Sequence, residues 1–561
     1  MNRTEKRFGE ATLGKLSMAL GLATVLYGAS TTAQAQDFLT QHVRTAVTNG
    51  QATYLTPMLA TKILRLDIVL PLRDQEGLEN FLKELYNPAS PSYRKFLTVS
   101  EFTDRFGPSQ EDYNTVIDFA TANHFKIVGG SRDGMDIQIE GSVANIEKAF
   151  NISMLTYENL KENRIFYAPD REPTVNLPFP LWHISGLDNY SKPHPLYKRR
   201  KLALVEPLAT TGSGPQGSFL GSDMRAAYYG VTGATALTGA GQHLGLLEYY
   251  GTDLTDLNTY FKNVGQTNKV PITLLSTDST STHCIHPACD DTEQTLDMTQ
   301  ALGMAPGLAS LVMYVGSTDT AIFSSMTSHS PLPSTIGCSW GWTPADPNTL
   351  NPYWLRMAAQ GQTFFAASGD DSTWGSGAHE AWPADSAYVV AVGGTDLTTT
   401  KAGGAWKSET AWADSGGGIS PDRIPIPSWQ KLAGVINSKN KGSTTLRNGP
   451  DVAANANFTF YVCANQTTCT ANEYGGTSFA APMWAGYLAL TNQQSVAKHH
   501  TTLGFINSTL YSIGVSSVYE IIFHDITSGK SGSYTAVLGY DLVTGWGSMQ
   551  NGTSLINRLT G

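Results

Sequence analysis

The chain has 561 residues, of which 41% are hydrophobic and 10% aromatic, so it is long enough for two or three domains and can bury a core. Charged residues make up 15%, Asp plus Glu (47) outnumber Lys plus Arg (37), and the formal net charge is −10. This balance argues against a nucleic-acid-binding protein with a basic face. The apolar content argues against an intrinsically disordered chain.

Residues 1–35 have the pattern of a secretory signal peptide. Basic residues precede a mainly apolar run from Leu16 to Ala29, and Ala33-Gln34-Ala35 gives the small-x-small pattern of a signal-peptidase site. The alternative is a membrane anchor, which needs ~20 apolar residues. We therefore expect export, to the extracellular space or the periplasm, and no membrane association after the signal is removed.

Residues 36–190 predict an α+β domain. Ile63 to Leu70 and Asp136 to Glu140 have the composition of strands, and Val143 to Phe150 that of a helix. A further helix is indicated by apolar residues spaced at i, i+3, i+4 and i+7: Leu78, Phe81, Leu82 and Leu85.

Residues 191–217 predict an exposed linker. The segment is rich in Pro, Gly, Ser and Thr and contains Lys198-Arg199-Arg200-Lys201. A solvated loop and a dedicated processing site both fit this composition.

Residues 218–561 predict an α/β domain. Short apolar runs alternate with helical segments, which favours a parallel sheet covered by helices on both faces. The predicted strands are His243 to Leu247, Leu308 to Val315, Thr335 to Ser339, Thr363 to Ala367 and Val389 to Val392.

The five cysteines fall as two close pairs, Cys284/Cys289 and Cys463/Cys469, and a lone Cys338 in an apolar segment. In an exported chain two disulfides and one buried thiol fit best. The alternative is a zinc site on His283, Cys284, His286 and Cys289, although no second distant ligand cluster accompanies it.

Ser478 is the strongest nucleophile candidate. Gly475-Gly476-Thr477-Ser478 predicts a tight turn that opens a buried helix, and Pro482 would be tolerated in its first turn. This places a hydroxyl beside unpaired backbone N–H groups. The alternative is that Ser478 only caps the helix.

A serine nucleophile needs a base, and no histidine of the chain is followed by Gly as in the His-Gly-Thr setting of subtilisin-like enzymes. Asp414-Ser415-Gly416 resembles the subtilisin aspartate motif, but no histidine stands between it and Ser478, so we interpret it as a turn.

Glu293 and Asp297 offer another base. Their i,i+4 spacing puts two carboxylates on one face of a predicted helix, where they would share a proton and raise one apparent pKa. The alternative is that Glu293 completes a capping box from Asp290 while Asp297 is solvated.

Asp370 follows the predicted strand Thr363 to Ala367, and the carboxyl ends of parallel strands are where α/β sheets bind ligands. A protonated Asp370 could donate a hydrogen bond to an oxyanion. The alternative is an ordinary turn residue.

Near the C-terminus, Asp525-Ile526 and Gly539-Tyr540-Asp541 bracket a loop rich in Gly and Ser. Carboxylates and loop carbonyls are the oxygen ligands that Ca²⁺ requires. A hairpin with turn aspartates is the alternative.

In this order, these residues resemble the sedolisin family of serine-carboxyl peptidases, which have a subtilisin-like fold. The first block is similar to an activation domain of the kumamolisin type, on the motifs Asn87 to Tyr93, Phe96-Leu97-Thr98, Phe102, Phe106 to Ser109, Ile146 to Phe150 and Gly186-Leu187-Asp188.

The resemblance implies a zymogen whose pro-domain inhibits the peptidase domain, and it implies peptides and proteins as substrates. It implies Ser478 as nucleophile, Glu293 and Asp297 as the base pair and Asp370 as the oxyanion acid. It also implies one Ca²⁺ ion held by Asp525, Ile526, Val537, Gly539 and Asp541, with Val537 where relatives often have Gly. Asp371-Ser372 and the Cys284 to Cys289 loop depart from the family pattern near the cleft.

Three other classes compete: a histidine-dependent subtilase, a non-catalytic binding protein with this fold, and a hydrolase that uses the zinc site. Endopeptidase and tripeptidyl-peptidase modes stay open, as do the cleavage preference and the maturation site.

Overall fold

The computed structural model describes residues 36–200, 211–375 and 381–561. The predicted signal peptide, residues 1–35, lies outside them. In the described part of the chain, no helix combines the length and apolarity required to cross a membrane.

The first block, residues 36–190, contains a four-stranded antiparallel sheet with helices packed on it. Its strands, in spatial order, are Lys126–Ser131, Asp136–Ser142, Ile63–Val69 and His183–Ser185. A second sheet is formed by Ala52–Pro57, Met154–Asn159 and Arg164–Pro169. The helices are Gln75–Leu85, Val99–Arg105, Gln110–Ala122 and Val143–Phe150.

The strands and helices predicted in this block are confirmed. Leu66 and Ile68 on one strand and Ile146 and Phe150 on one helix are buried in the same core, as the alternating and helical patterns require. The block is therefore an α+β unit with its own apolar interior.

The second block is built on a sheet to which eight strands contribute within the described residues. In spatial order these are Ile272–Ser276, Ser310–Val315, His243–Glu248, Thr335–Cys338, Thr363–Ala367, Val390–Thr399 and Trp406–Ala411, with Val452–Asn455 paired to the first half of Val390–Thr399. All pairings are parallel except that of Trp406–Ala411. The predicted parallel sheet is confirmed, and its inner strands are buried on both faces, whereas the edge strands Ile272–Ser276 and Trp406–Ala411 are partly exposed.

Two helices matter for the site, and we call them the acidic helix, Thr292–Met304, and the serine helix, Thr477–Ala497. Both are buried along most of their length and they pack against each other. The other helices are Gly221–Tyr228, Leu254–Asn263, Asp319–Ser328, Pro347–Gln360, Asn507–Gly514 and Ser554–Thr560.

The first block docks on the helix Pro347–Gln360 of the second. Tyr86 Oη donates to the carbonyl of Ala358 at 2.8 Å, and Trp182 Nε1 donates to the carbonyl of Thr349 at 3.1 Å. Apolar side chains of both blocks share one buried cluster. The two blocks are therefore held together by a continuous core.

The prediction that the linker is a loop is wrong for residues 194–200, although His194 and Arg199 are exposed. His194–Pro195 pairs antiparallel with Trp340–Gly341, and Lys198–Arg199 pairs antiparallel with the strand Thr470–Gly475. Composition indicated a loop, but the backbone hydrogen bonds of these residues are satisfied by the second block. Residues 201–210 of the predicted linker lie outside the described residues.

Candidate active site

Three adjacent parallel strands end at the site. His243–Glu248, Thr335–Cys338 and Thr363–Ala367 are neighbours in the sheet, so their carboxyl ends bring Glu248, Ser339 and Asp370 to one edge. This is the edge at which α/β sheets bind ligands. The acidic and serine helices cover the same edge.

Ser478 lies in the first turn of the serine helix and is fully buried. The residue at the N-cap is Gly476, so the capping alternative for Ser478 is wrong. A Cβ atom on Gly476 would lie 2.5 Å from Asp370 Oδ2 and 2.6 Å from the Leu196 carbonyl oxygen. Glycine is required here because these groups approach the backbone closely.

The Ser478 hydroxyl donates to Glu293 Oε2 at 3.0 Å. Glu293 and Asp297 are 2% and 0% exposed on the acidic helix, so the solvated-carboxylate alternative is wrong. Burial raises the pKa of Glu293 well above its usual range, and the neighbouring Asp297 and Glu248 raise it further. Burial also raises the pKa of Asp297. The pair therefore retains a proton at pH values where ordinary carboxyls are ionised.

Ser339 links the carboxylates to the serine helix. Its Oγ lies 2.6 Å from Asp297 Oδ1 and 3.2 Å from the carbonyl oxygen of Ser478. That carbonyl has no helical donor because Pro482, four residues on, lacks an N–H. The prediction that Pro482 falls in the first turn is wrong: it lies in the second turn, where its missing amide frees an acceptor for Ser339.

Asp370 is also buried, and burial raises its pKa to about 8. Its Oδ1 accepts hydrogen bonds from the Thr477 amide at 2.7 Å and the Thr477 hydroxyl at 2.8 Å. No donor or acceptor among the described residues pairs with Oδ2. Below this pKa Asp370 is a neutral carboxyl whose Oδ2 has no partner among the described residues.

Glu248 was missed at the level of sequence. It is fully buried at the end of a central strand, Trp340 Nε1 donates to its Oε2 at 3.0 Å, and burial followed by the charge of Asp297 raises its pKa. The rule that directed attention to Asp370, an acid at the carboxyl end of a parallel strand, applies equally to Glu248. It adds a third carboxyl to the buried pair.

A segment of the chain itself, residues 194–200, lies across this site, and we call it the cleft segment. The Leu196 amide donates to the carbonyl of Ser339 at 2.9 Å, and the Ser478 amide donates to the carbonyl of Leu196 at 3.2 Å. The carbonyl of Leu196 therefore points at the N-terminus of the serine helix, next to the free oxygen of Asp370. The Leu196 backbone is therefore hydrogen-bonded on both sides to residues of the site.

The predicted calcium residues come together in a separate loop. The Gly539 amide donates to Asp525 Oδ2 and the Val537 amide to Asp541 Oδ2, both at 3.1 Å. In the described residues no hydrogen-bond donor reaches the carbonyl oxygens of Ile526, Val537 or Gly539. Two carboxylates and three free carbonyls fit an oxygen-liganded cation. Nowhere in the described residues do three or more His, Cys, Asp or Glu side chains form a metal-binding group.

The zinc alternative is wrong. Cys284 and Cys289 are bonded to each other, as are Cys463 and Cys469, and Cys338 is a buried free thiol. This confirms the predicted two disulfides. The two disulfide loops meet where the His286 amide donates to Gln466 Oε1 at 2.9 Å.

Comparison with known proteins gives two family matches. Residues 51–181 match the pro-kumamolisin activation domain, and residues 254–540 match the subtilase family. Kumamolisin from Bacillus sp. (strain MN-32) is 31% identical over 516 residues, 86% of this chain and 90% of the relative. Sedolisin from Pseudomonas sp. (strain 101) is 28% identical and covers 89% of this chain and 87% of the relative.

Among solved structures, Pseudomonas sedolisin, a serine-carboxyl proteinase complexed with two molecules of pseudo-iodotyrostatin, aligns with a TM-score of 0.50 and 27% identity. The alignment covers 63% of this chain and 98% of that one.

The fold and the matches define a serine-type peptidase with a subtilisin-like domain. The chain belongs to the sedolisin family and carries a kumamolisin-type activation domain ahead of its peptidase domain. The activation domain implies an intramolecular inhibitor, and the peptidase domain implies peptide substrates.

Proposed function

We propose that the chain is an exported zymogen of an acid-acting serine-carboxyl endopeptidase that cleaves itself and then other proteins. The observation that carries the proposal is Ser478, whose hydroxyl donates to a buried glutamate and whose amide donates to a peptide carbonyl of the cleft segment. The pairing of nucleophile and carboxylate base supports acyl transfer without histidine.

Ser478 Oγ attacks the carbonyl carbon of the scissile peptide and passes its proton to Glu293 Oε2. Asp297 shares the remaining proton of the carboxyl pair, so Glu293 can be ionised while the pair carries one negative charge. Glu293 then returns the proton to the leaving amine as the C–N bond breaks. A water molecule resolves the acyl-enzyme in the same way and restores Ser478.

Asp370 and the Ser478 amide stabilise the oxyanion. Oδ2 of the neutral Asp370 donates to the oxygen on which negative charge develops, because Oδ1 is already used by Thr477. Donation ends when Asp370 ionises, so activity belongs to acid and neutral conditions and falls as the pH rises through the pKa of about 8.

The first substrate is the chain's own Leu196–Tyr197 bond. The Leu196 amide and carbonyl are held by Ser339 and Ser478, as a substrate residue on the acyl side of the scissile bond would be. Cleavage there makes Tyr197 a new N-terminus and breaks the covalent link between the activation domain and the peptidase domain. This cut would lie within residues 191–217, the segment in which the sequence predicts a linker with a processing site.

Export and calcium complete the proposal. The signal-like residues 1–35 support secretion, and two disulfides suit an oxidising compartment. Asp525 and Asp541, with the carbonyls of Ile526, Val537 and Gly539, would hold one Ca²⁺ ion, which would neutralise a buried carboxylate and fix the loop.

The test compares the purified zymogen with its Ser478→Ala variant at pH 4 and pH 7. We expect only the wild-type chain, and not the variant, to be cut at acid pH. Intact mass should place the cut between Leu196 and Tyr197, and the cut enzyme should digest a denatured protein. Equal processing or digestion by Ser478→Ala would refute the assignment of Ser478 as nucleophile.

A further inference from the structure

The cleft segment continues past Leu196 into an acidic part of the cleft. Lys198 Nζ lies 3.0 Å from Asp371 Oδ1 and 3.6 Å from Asp414 Oδ2. Burial lowers the pKa of Lys198, but the hydrogen bond to Asp371 and the charge of Asp414 outweigh it and raise that pKa. The lysine therefore lies between two carboxylates, two positions after the Leu196 carbonyl.

The next residue meets a third carboxylate. Both Nε and Nη2 of Arg199 donate to Glu473 Oε2, at 3.0 Å and 2.9 Å, and the guanidinium lies 5.1 Å from the ring centre of Tyr474. A charge-assisted pair of hydrogen bonds and a ring contact fix this side chain. Glu473 is shielded, with 19% of its side chain exposed.

These contacts occur on a backbone that is itself held in register. Lys198 is paired with Gly475 and Arg199 with Tyr474 in an antiparallel ladder that leads directly to Ser478. Any extended peptide that places a carbonyl at the Ser478 amide would put its second and third following residues at the same positions. The acidic groups are therefore aligned with the reaction centre.

The loops that carry Asp371 and Asp414 are fastened to each other and to the site. The Ser372 amide donates to the carbonyl of Asp414 at 3.0 Å, and the Gly416 amide donates to the carbonyl of Gly369 at 2.6 Å. Asp371 directly follows the oxyanion acid Asp370. The backbones that carry the two carboxylates are thus held in place by bonds that do not involve the cleft segment.

We propose that Asp371, Asp414 and Glu473 make this cleft select protein substrates with Lys or Arg at the second and third positions after the scissile bond. The proposal rests on the proposed peptidase function of Ser478. It assigns a substrate class, peptides that are basic on the leaving-group side, and it makes Asp371 and Asp414 the recognition groups for the second position and Glu473 that for the third.

The experiment uses enzyme that has matured until its intact mass no longer changes. Internally quenched peptides carry His-Pro-Leu-Tyr followed by Lys or norleucine at the second position and Arg or norleucine at the third. We measure kcat/KM at pH 5 and expect each basic residue to increase it about five-fold over norleucine, as a partly exposed ion pair allows. The increase should shrink in 0.5 M NaCl because salt screens these pairs.

The variants act as controls for each other. Asp371→Asn and Asp414→Asn should reduce the lysine-to-norleucine ratio at the second position and leave the arginine ratio at the third. Glu473→Gln should do the reverse. Because each value is a ratio within one enzyme, a general loss of activity cancels. With one further peptide that carries Glu at the second position, Asp371→Lys should favour Glu over Lys there.

Wild-type ratios near one that do not change with salt would overturn the proposal while leaving the peptidase intact. Ratios that fall equally at both positions in every variant would also overturn it. If wild-type enzyme cleaves neither these peptides nor denatured protein, or Ser478→Ala cleaves them equally well, the proposed function itself fails.

Discussion

At the scale of single residues, the two oxygens of Asp370 have different partners. Oδ1 accepts from the amide and the hydroxyl of Thr477, whereas Oδ2 has no partner in the described residues and adjoins the Leu196 carbonyl. A protonated carboxyl satisfies both conditions, with Oδ1 as acceptor and Oδ2 as donor. The raised pKa follows from the same burial that makes the donation effective.

This division of roles predicts that the Asp370→Asn variant keeps part of the activity, and that this activity no longer falls as the pH becomes alkaline. The amide N–H takes the place of the Oδ2 proton and does not ionise, whereas wild-type activity should fall as the pH rises through about 8. Asp370→Ala should lower kcat about 100-fold or more, since one oxyanion donor is lost. Profiles of kcat against pH decide the matter, and an unchanged alkaline limb in Asp370→Asn would contradict the assignment.

Ser339→Ala should shift the acid limb of the kcat profile to higher pH. The Ser339 hydroxyl bonds to Asp297 and lowers its pKa, so its removal raises that pKa further and Glu293 and Asp297 take up their second proton at a higher pH. The matched control is Thr335→Val on the strand that ends just before Ser339. The Thr335 hydroxyl donates to the Ala485 carbonyl at 2.9 Å and not to the carboxylates. If both variants shift the limb equally, Ser339 has only a packing role.

At the scale of elements, the site depends on how closely two helices approach. A Cβ atom on Gly486 of the serine helix would lie 2.9 Å from the Ala301 carbonyl and 2.9 Å from Met304 Cβ of the acidic helix. The backbones of the two helices are therefore in contact at this point. The contact sets the distance between Ser478 and Glu293, which lie near the N-terminal ends of the same two helices.

Gly486→Ala should accordingly lower both stability and kcat. The methyl group gains about 1 kcal/mol of helix propensity but overpacks a rigid contact at a cost of about 1–3 kcal/mol. Displacement of Glu293 by a fraction of an ångström should reduce kcat about ten-fold. Thermal unfolding in the Ser478→Ala background and kcat in the active chain measure the two effects, and a higher Tm with full activity would refute the close contact.

The same scale explains what the sequence could and could not predict. The parallel strands and the acidic helix follow from apolar runs and residue spacing that act locally. The pairing of Glu293 with Ser478, which are 185 residues apart, was predicted on the family resemblance. Glu248 belongs to no motif, and its proximity to Asp297 arises from sheet order. The cleft segment pairs with residues far along the chain, so a composition typical of loops concealed two strands.

At the scale of the whole molecule, the activation domain meets the peptidase domain through buried carboxyls. Thr320 Oγ1 donates to Asp67 Oδ2 at 2.5 Å, and Ser324 Oγ donates to Asp136 Oδ1 at 2.7 Å. Burial, then the charge of Asp136, raises the pKa of Asp67, to which Asp278 of the peptidase domain adds; burial also raises the pKa of Asp136. The docked state therefore binds protons that the separated or unfolded state releases.

The linkage has a definite sign. Asp67 has a higher pKa folded than unfolded, so its contribution to stability is complete below about pH 4, the unfolded value, and is lost as the pH rises towards the raised folded pKa. Docking is thus strongest at acid pH, where Asp370 is also protonated. The self-cleavage proposed above would then take place while the activation domain is still bound.

We therefore expect Asp67→Asn, in a Ser478→Ala zymogen that cannot digest itself, to flatten the fall of Tm between pH 4 and pH 7. The amide cannot ionise, so the variant should gain stability relative to its parent at pH 7 and not at pH 4. Asp104→Asn, on an aspartate whose side chain is 70% exposed and paired with Arg132, is the control and should follow the parent curve. A Tm difference between Asp67→Asn and its parent that is the same at both pH values would mean that Asp67 does not titrate at this interface.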